Sequence, residues 1–161
     1  MIEIINYTQE NIIPAIKIWN EIVREGVAFP QENELDEVEG DKFFSSQSFT
    51  GLAVDTNKIV GLYILHPNNV GRCSHIANAS YAVRSDVRGK HIGEIIVTHS
   101  INKARELGFR ILQFNAVVAD NIRARKLYQK LGFHELGTIP GGFRMADNNY
   151  ADIIPHFIEL V

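Results

Sequence analysis

The sequence predicts a mixed α/β (α+β) fold, a sheet covered by helices. Three observations carry this prediction. Apolar residues recur at helical spacing in separate stretches, and short runs rich in Val, Ile, Phe and Tyr lie between them, bounded by turn residues. The order is strand, helix, irregular acidic segment, antiparallel strands, helix, strand, helix, strands. The length of 161 residues suits one domain, 1–161, and no linker, internal repeat or low-complexity tract divides it.

Residues 2–7 read as the opening strand. Thr8 suits the cap of a helix whose Ile12, Ile16, Trp19 and Val23 form one apolar face, and Gly26 ends it. Pro14 falls early, where a missing N–H costs little. Residues 27–40 collect Glu32, Glu34, Asp36, Glu37 and Glu39. They read as a solvated loop with a short helix, or as a wall for a cationic substrate. Residues 51–54 and 59–65 form a hairpin about the turn at 55–58, residues 67–71 break the chain, and 75–83 make the next strand. Ile92, Ile96, Ser100, Ala104 and Leu107 mark a long helix ended by Gly108. Residues 109–118 are a buried strand. Asp120 or Asn121 caps a helix carrying Ala124, Leu127, Tyr128 and Leu131, and Gly132 closes it. Residues 133–161 alternate apolar runs with glycines, as final antiparallel strands do.

Composition excludes several classes. Hydrophobic residues are 45% and charged residues 22%, ordinary for a globular chain and unlike a disordered or collagen-like one. The net charge of −3 gives no basic excess with which to grip nucleic acid. No apolar run approaches the ~20 residues that span a bilayer. The start lacks the basic and apolar pattern of a signal peptide. The single cysteine, Cys73, cannot form an internal disulfide, which suits a reducing compartment. A cytoplasmic protein without membrane or nucleic-acid partners is expected. The 6 histidines show no zinc spacing or helical pair, so no metal is expected.

The most informative stretch is Arg88-Gly89-Lys90-His91-Ile92-Gly93. A strand ends, a basic glycine-containing turn follows, and a helix begins. Unpaired N–H groups and the dipole at a helix start attract anions, and glycines permit close approach. The turn is therefore a candidate pyrophosphate cradle or a plain strand-to-helix connection. Gly89-Lys90-His91 lacks the hydroxyl that ends a P-loop, and the glycine spacing fails the dinucleotide fingerprint. A second stretch starts at Asn121, and Tyr128 lies about two helical turns further along the same face. Tyr128 either offers its hydroxyl to a ligand running along the helix or packs as a half-buried aromatic.

Together the two stretches resemble the GCN5-related N-acetyltransferase (GNAT) superfamily. Arg88-Gly89-Lys90-His91-Ile92-Gly93 is similar to its Arg/Gln-x-x-Gly-x-Gly/Ala motif. Asn121-Ile122-Arg123-Ala124-Arg125-Lys126-Leu127-Tyr128-Gln129-Lys130-Leu131-Gly132-Phe133 is similar to its Asn-x-x-Ala-x-x-Leu-Tyr-x-x-Leu-Gly-Phe motif. Residues 19–30, 67–79 and 114–117 further resemble a narrower group, the azetidine-2-carboxylate N-acetyltransferases of yeast and bacteria, which acetylate small proline-like imino acids. The superfamily resemblance implies a mixed central sheet of about six to seven strands flanked by about four helices. It implies direct acetyl transfer from acetyl-CoA to the amine of a small molecule, without an acyl-enzyme.

The resemblance also assigns roles. Arg88, Gly89, Lys90, His91, Ile92 and Gly93 would hold the pyrophosphate, and Tyr81, Ala82 and Val83 would flank the pantetheine, one of their N–H groups polarising the thioester. Asn121 would contact the cofactor, and Tyr128 would protonate the departing sulfur. Asn78 and Asn115 would bind the acceptor, or instead bridge strands. By residue type alone, Phe29, Phe114 and Tyr63 either wall a small apolar pocket or pack in the core. His75 is the candidate base, with a structural histidine or a water chain as alternatives. His91 stands where the motif has glycine. If that position needs positive φ or closest approach to phosphate, its β-carbon costs binding; the expectation is instead a first helical residue, tolerated there and able to donate to a phosphate oxygen. Other expectations kept open are a protein N-terminus or an aminoglycoside as acceptor, a non-catalytic acyl-CoA-binding module, and a homodimer formed by the C-terminal strands.

Overall fold

Each element follows its local chemistry in the computed structural model, which describes residues 1–161. Strand β1 (Glu3–Asn6) opens the chain. Thr8 caps a short 3₁₀ turn that runs into helix α1 (Ile12–Glu25), and Gly26 ends it at φ 62°. Asp36 then accepts from the backbone N–H of Glu39 and caps α2 (Glu37–Ser45). Asp36, Glu37 and Glu39 thus sit at the positive end of a helix dipole, where carboxylates are stabilising. The hairpin strands are β2 (Phe49–Asp55) and β3 (Lys58–Pro67), followed by β4 (Ile76–Val83). Helix α3 (Ile92–Glu106), β5 (Ile111–Val118) and α4 (Ile122–Lys130) complete the middle of the chain. The tail forms β6 (His134–Glu135), β7 (Ile139–Arg144) and β8 (Tyr150–Glu159).

The strands form one 8-stranded sheet in the order β1-β2-β3-β4-β5-β8-β6, with β7 also paired to β8. This bears out the expected mixed α/β sheet, with the two-residue β6 as an added strand. Only β4 and β5 run parallel. Helices cover both faces because side chains alternate along the central strands. Leu62 and Ile64 of β3 join Trp19, Ile18 and Phe44 beneath α1 and α2. Tyr63 and Leu65 join Ile96, Val97 and Ala104 beneath α3. No helix is long and apolar enough to cross a membrane.

Two irregularities shape the middle of the sheet. The β4–β5 register contains only Ile76↔Ile111 and Ala77↔Leu112, after which the strands diverge. The β5–β8 register slips between Phe114 and Val117, so Asn115 and Ala116 bulge opposite Pro155. Proline has no N–H to offer a ladder, and a bulge is where a strand tolerates it.

Candidate active site

The fork between β4 and β5 leaves main-chain groups free. Arg84 N–H donates to Val60 O and Asn68 N–H to Ile76 O, so the even-numbered residues of β4 bond to β3. The odd-numbered ones face β5. Past Ala77 no partner strand remains, and the N–H and C=O groups of Ala79 and Tyr81 and the N–H of Val83 point into the gap, while Val83 O accepts from Arg88. Ala82 is the exception among the expected pantetheine residues: its main chain bonds to β3 and its side chain is buried among the α1-side core.

A cavity of about 810 Å³ follows this fork, lined by residues of the Arg88–Gly93 turn and, among others, by Phe29 and Asn115. At one end lies the basic turn. The backbone N–H groups of Gly89, Lys90, His91, Ile92, Gly93 and Glu94 donate to no acceptor in the protein. Gly89 at φ 88° and His91 at φ 60° turn successive amides toward one side, the geometry of an anion nest. His91 therefore takes the left-handed conformation, contrary to the expectation of an ordinary helical residue. Three residues after the start of the turn the chain must bend into α3, and that bend needs positive φ.

The charges around the turn divide in two. Arg88 is engaged: it donates to Glu25 at 2.6 Å and to Val83 O at 3.3 Å. Lys90 is exposed and does not line the cavity. Arg123 of α4 reaches over the turn, its guanidinium 3.3 Å from where a Cβ on Gly89 would stand. Gly89 is favoured by its positive φ, and the Arg123 guanidinium could give way to a Cβ there. Sequence reading missed Arg123 as a site residue, although it lies two residues past Asn121 in the second motif. Asn121 caps α4 through its side-chain oxygen, which accepts from Ala124 N–H, and it also lines the cavity.

Two tyrosines line the middle of the cavity and differ in hydrogen bonding. Tyr81 lies 2.7 Å from Ser100 Oγ, whose own hydroxyl donates to Val97 O. The Tyr81 hydroxyl is therefore the donor to Ser100, and its proton is committed. Tyr128 makes no hydrogen bond within the protein; burial alone raises its hydroxyl pKa well above the ordinary value. Its ring is held by packing on Phe114 at 4.7 Å, Phe133 at 5.6 Å and His156 at 5.6 Å between centroids.

At the mouth Asn78 and Asn115 both line the cavity. A third amide, Asn68, joins them. Asn68 Oδ1 accepts from Asn78 Nδ2 at 3.1 Å and from Asn115 Nδ2 at 2.7 Å. Asn68 Nδ2 donates in turn to Asn115 Oδ1 at 3.1 Å. Phe29 lines the same end and packs on Trp19 with ring centroids 4.4 Å apart. Met145, from the β7–β8 turn, closes the wall. Phe114 lines the cavity, whereas Tyr63 does not: its hydroxyl bonds His99 Nδ1 at 2.8 Å beneath α3.

His75 is displaced from its expected place. It is exposed just before β4, at the closed end of the fork and outside the cavity. Its carbonyl accepts from Arg110 N–H, a structural bond that joins β4 to β5. The acidic residues 32–39 also stay outside. Glu32 pairs with Arg144, Glu34 with Arg24, and Asp36 and Glu39 cap α2.

Comparison with known proteins agrees with this geometry. The model of the acetyltransferase (GNAT) family matches residues 16–133, and the chain belongs to that family. The N-acetyltransferase aca1 of Schizosaccharomyces pombe is 34% identical over 87 residues, 54% of this chain and 42% of that protein. The chain thus spans less than half the length of the curated relatives it matches. A GCN5-related N-acetyltransferase from Kribbella flavida superposes with a TM-score of 0.90 at 29% identity, covering 98% of this chain and 97% of that one. The phosphinothricin acetyltransferase of Sinorhizobium meliloti, solved in complex with acetyl-CoA, shares the fold at a TM-score of 0.91 and 18% identity, over 98% and 88% of the two chains.

Proposed function

We propose that the protein is an acetyl-CoA-dependent N-acetyltransferase that moves an acetyl group directly to the amine of a small amino or proline-like imino acid. One observation carries the reading: a single cavity joins the unpaired amides of residues 89–94, the free main-chain edge of β4 and the unbonded hydroxyl of Tyr128. Acetyl-CoA brings an activated thioester and a thiol leaving group. The turn amides and Arg123 hold its phosphates. The N–H groups of Tyr81 and Val83 face the gap and are the candidates to stabilise charge on the thioester oxygen. Tyr128, whose proton no protein acceptor holds, donates it to the departing sulfur. Tyr81 is not the donor, because Ser100 already takes its proton.

Asn78 and Asn115 supply amide donors for an acceptor that carries a carboxylate, and Phe29 and Met145 limit its size. No histidine but His91 lines the cavity, and His91 stands at the phosphate end. Of the lining carboxylates Glu25 pairs with Arg88 and Glu94 with Lys130, so the amine enters as free base or loses its proton to water or to Asp120. A cationic aminoglycoside would meet none of the carboxylates of residues 32–39 inside the cavity, since none of them lines it.

Tyr128→Phe tests the chemistry. Its kcat is expected to fall by about 100-fold or more while the KM for acetyl-CoA stays within about threefold. An unchanged kcat would remove Tyr128 from the reaction.

A further inference from the structure

Asn68 stands just past the end of β3 and does not line the cavity, yet its side chain bonds both asparagines that do. Its own place is fixed by the main chain. Pro67 pairs with Ala77, and Asn68 N–H donates to Ile76 O at 2.7 Å. Ile76 and Ala77 are also where the β4–β5 pairing stops. The Asn68 side chain therefore bridges the root of the fork, from Asn78 on one branch to Asn115 on the other.

Asn115 needs such support. It lies in the β5 bulge opposite Pro155, and its side chain is exposed. A free carboxamide there turns over at little cost, exchanging an N–H for a carbonyl oxygen. Toward a carboxylate the N–H attracts and the carbonyl repels. The bonds settle which one is offered. Asn115 Nδ2 donates to Asn68 Oδ1 at 2.7 Å, and Asn68 Nδ2 donates back to Asn115 Oδ1 at 3.1 Å. Gln113 Nε2 donates to the same Asn115 Oδ1 at 3.1 Å. Both lone pairs of that oxygen are then filled, and one hydrogen on Asn115 Nδ2 remains. Asn78 Nδ2 donates to Asn68 Oδ1 at 3.1 Å and likewise keeps one hydrogen. Turning Asn115 over would set oxygen against oxygen and N–H against N–H in its pair with Asn68.

We propose that Asn68 is a positioning residue for the carboxylate of the acceptor. It holds Asn78 and Asn115 with one amide hydrogen each left for that group, and it bars the flip that would present the Asn115 carbonyl. The bonds form before the acceptor arrives, so the freedom of two side chains is not lost at binding. The proposal rests on the reading of Asn78 and Asn115 as acceptor contacts given above.

Asn68→Ala removes every bond of this side chain and is tested on two acceptors. With azetidine-2-carboxylate, kcat/KM should fall by about 10-fold or more. With azetidine, the same amine without the carboxylate, kcat/KM should stay within about threefold of wild type, as should the KM for acetyl-CoA. Asn68→Ser, too short to bridge both amides, serves if the first variant fails to fold. Equal losses on the two acceptors would mark a general disturbance of the site and overturn the role. Wild-type kcat/KM on azetidine-2-carboxylate in a folded variant overturns it as well. If the wild-type protein itself does not prefer the carboxylate-bearing amine, the reading of Asn78 and Asn115 fails, and the role of Asn68 with it.

Discussion

His91 occupies a left-handed position that the motif it resembles gives to glycine. A non-glycine residue there costs about 1–2 kcal/mol, partly offset by its smaller loss of freedom on folding. His91→Gly should therefore raise stability by up to about 1 kcal/mol in urea unfolding and leave the Kd for acetyl-CoA within about threefold. A loss of about 100-fold would show that the imidazole itself holds phosphate. The residues legible in the sequence are those whose chemistry is local. Gly89, Asn121 and Tyr128 each sit at a recognisable place in a turn or helix. Asn68 and Arg123 were not legible beside the cavity, because their partners lie far along the chain. Asn68 meets Asn115 across 47 positions, and Arg123 meets Gly89 only once α4 has packed beside the turn. His75 misled for the same reason: its type suited a base, and only the strand register puts it outside the cavity.

At the scale of elements, strands and helices were readable from period and punctuation. The fork and the bulge were not, since both are relations between strands. Residues 27–40 show the limit most clearly. Their charge pattern fitted a loop or a cationic site, and the deciding fact is that Asp36 caps α2 while Glu32 and Glu34 pair with arginines. The end of α1 shows how such a segment is held beside the cavity. Gly26 O accepts from Ala146 N–H at 3.0 Å, and a Cβ on Gly26 would stand 2.6 Å from the Ala146 Cβ. Gly26→Ala should destabilise the fold by about 2 kcal/mol in urea unfolding, from positive φ and from this contact together. Gly108→Ala also has positive φ but meets nothing within 4 Å, so it should cost only the backbone share. Equal losses in the two variants would show that the Gly26–Ala146 contact carries nothing.

For the molecule as a whole, the sheet matters because it is incomplete. A fully paired β4–β5 would have no free edge for an extended ligand and no route from the phosphate turn to Tyr128. Asn78, Asn115, Phe29 and Met145 all line the cavity that this opening creates. The most direct test is the release of CoA thiol from acetyl-CoA by the purified protein. It is followed without acceptor and with azetidine-2-carboxylate, proline analogues, primary amino acids, an aminoglycoside and a short peptide. The account predicts acceptor-dependent release, matched by acetylated product, with the small amino or imino acids. Binding of acetyl-CoA without release to any of these amines would contradict it and leave a non-catalytic acyl-CoA-binding module.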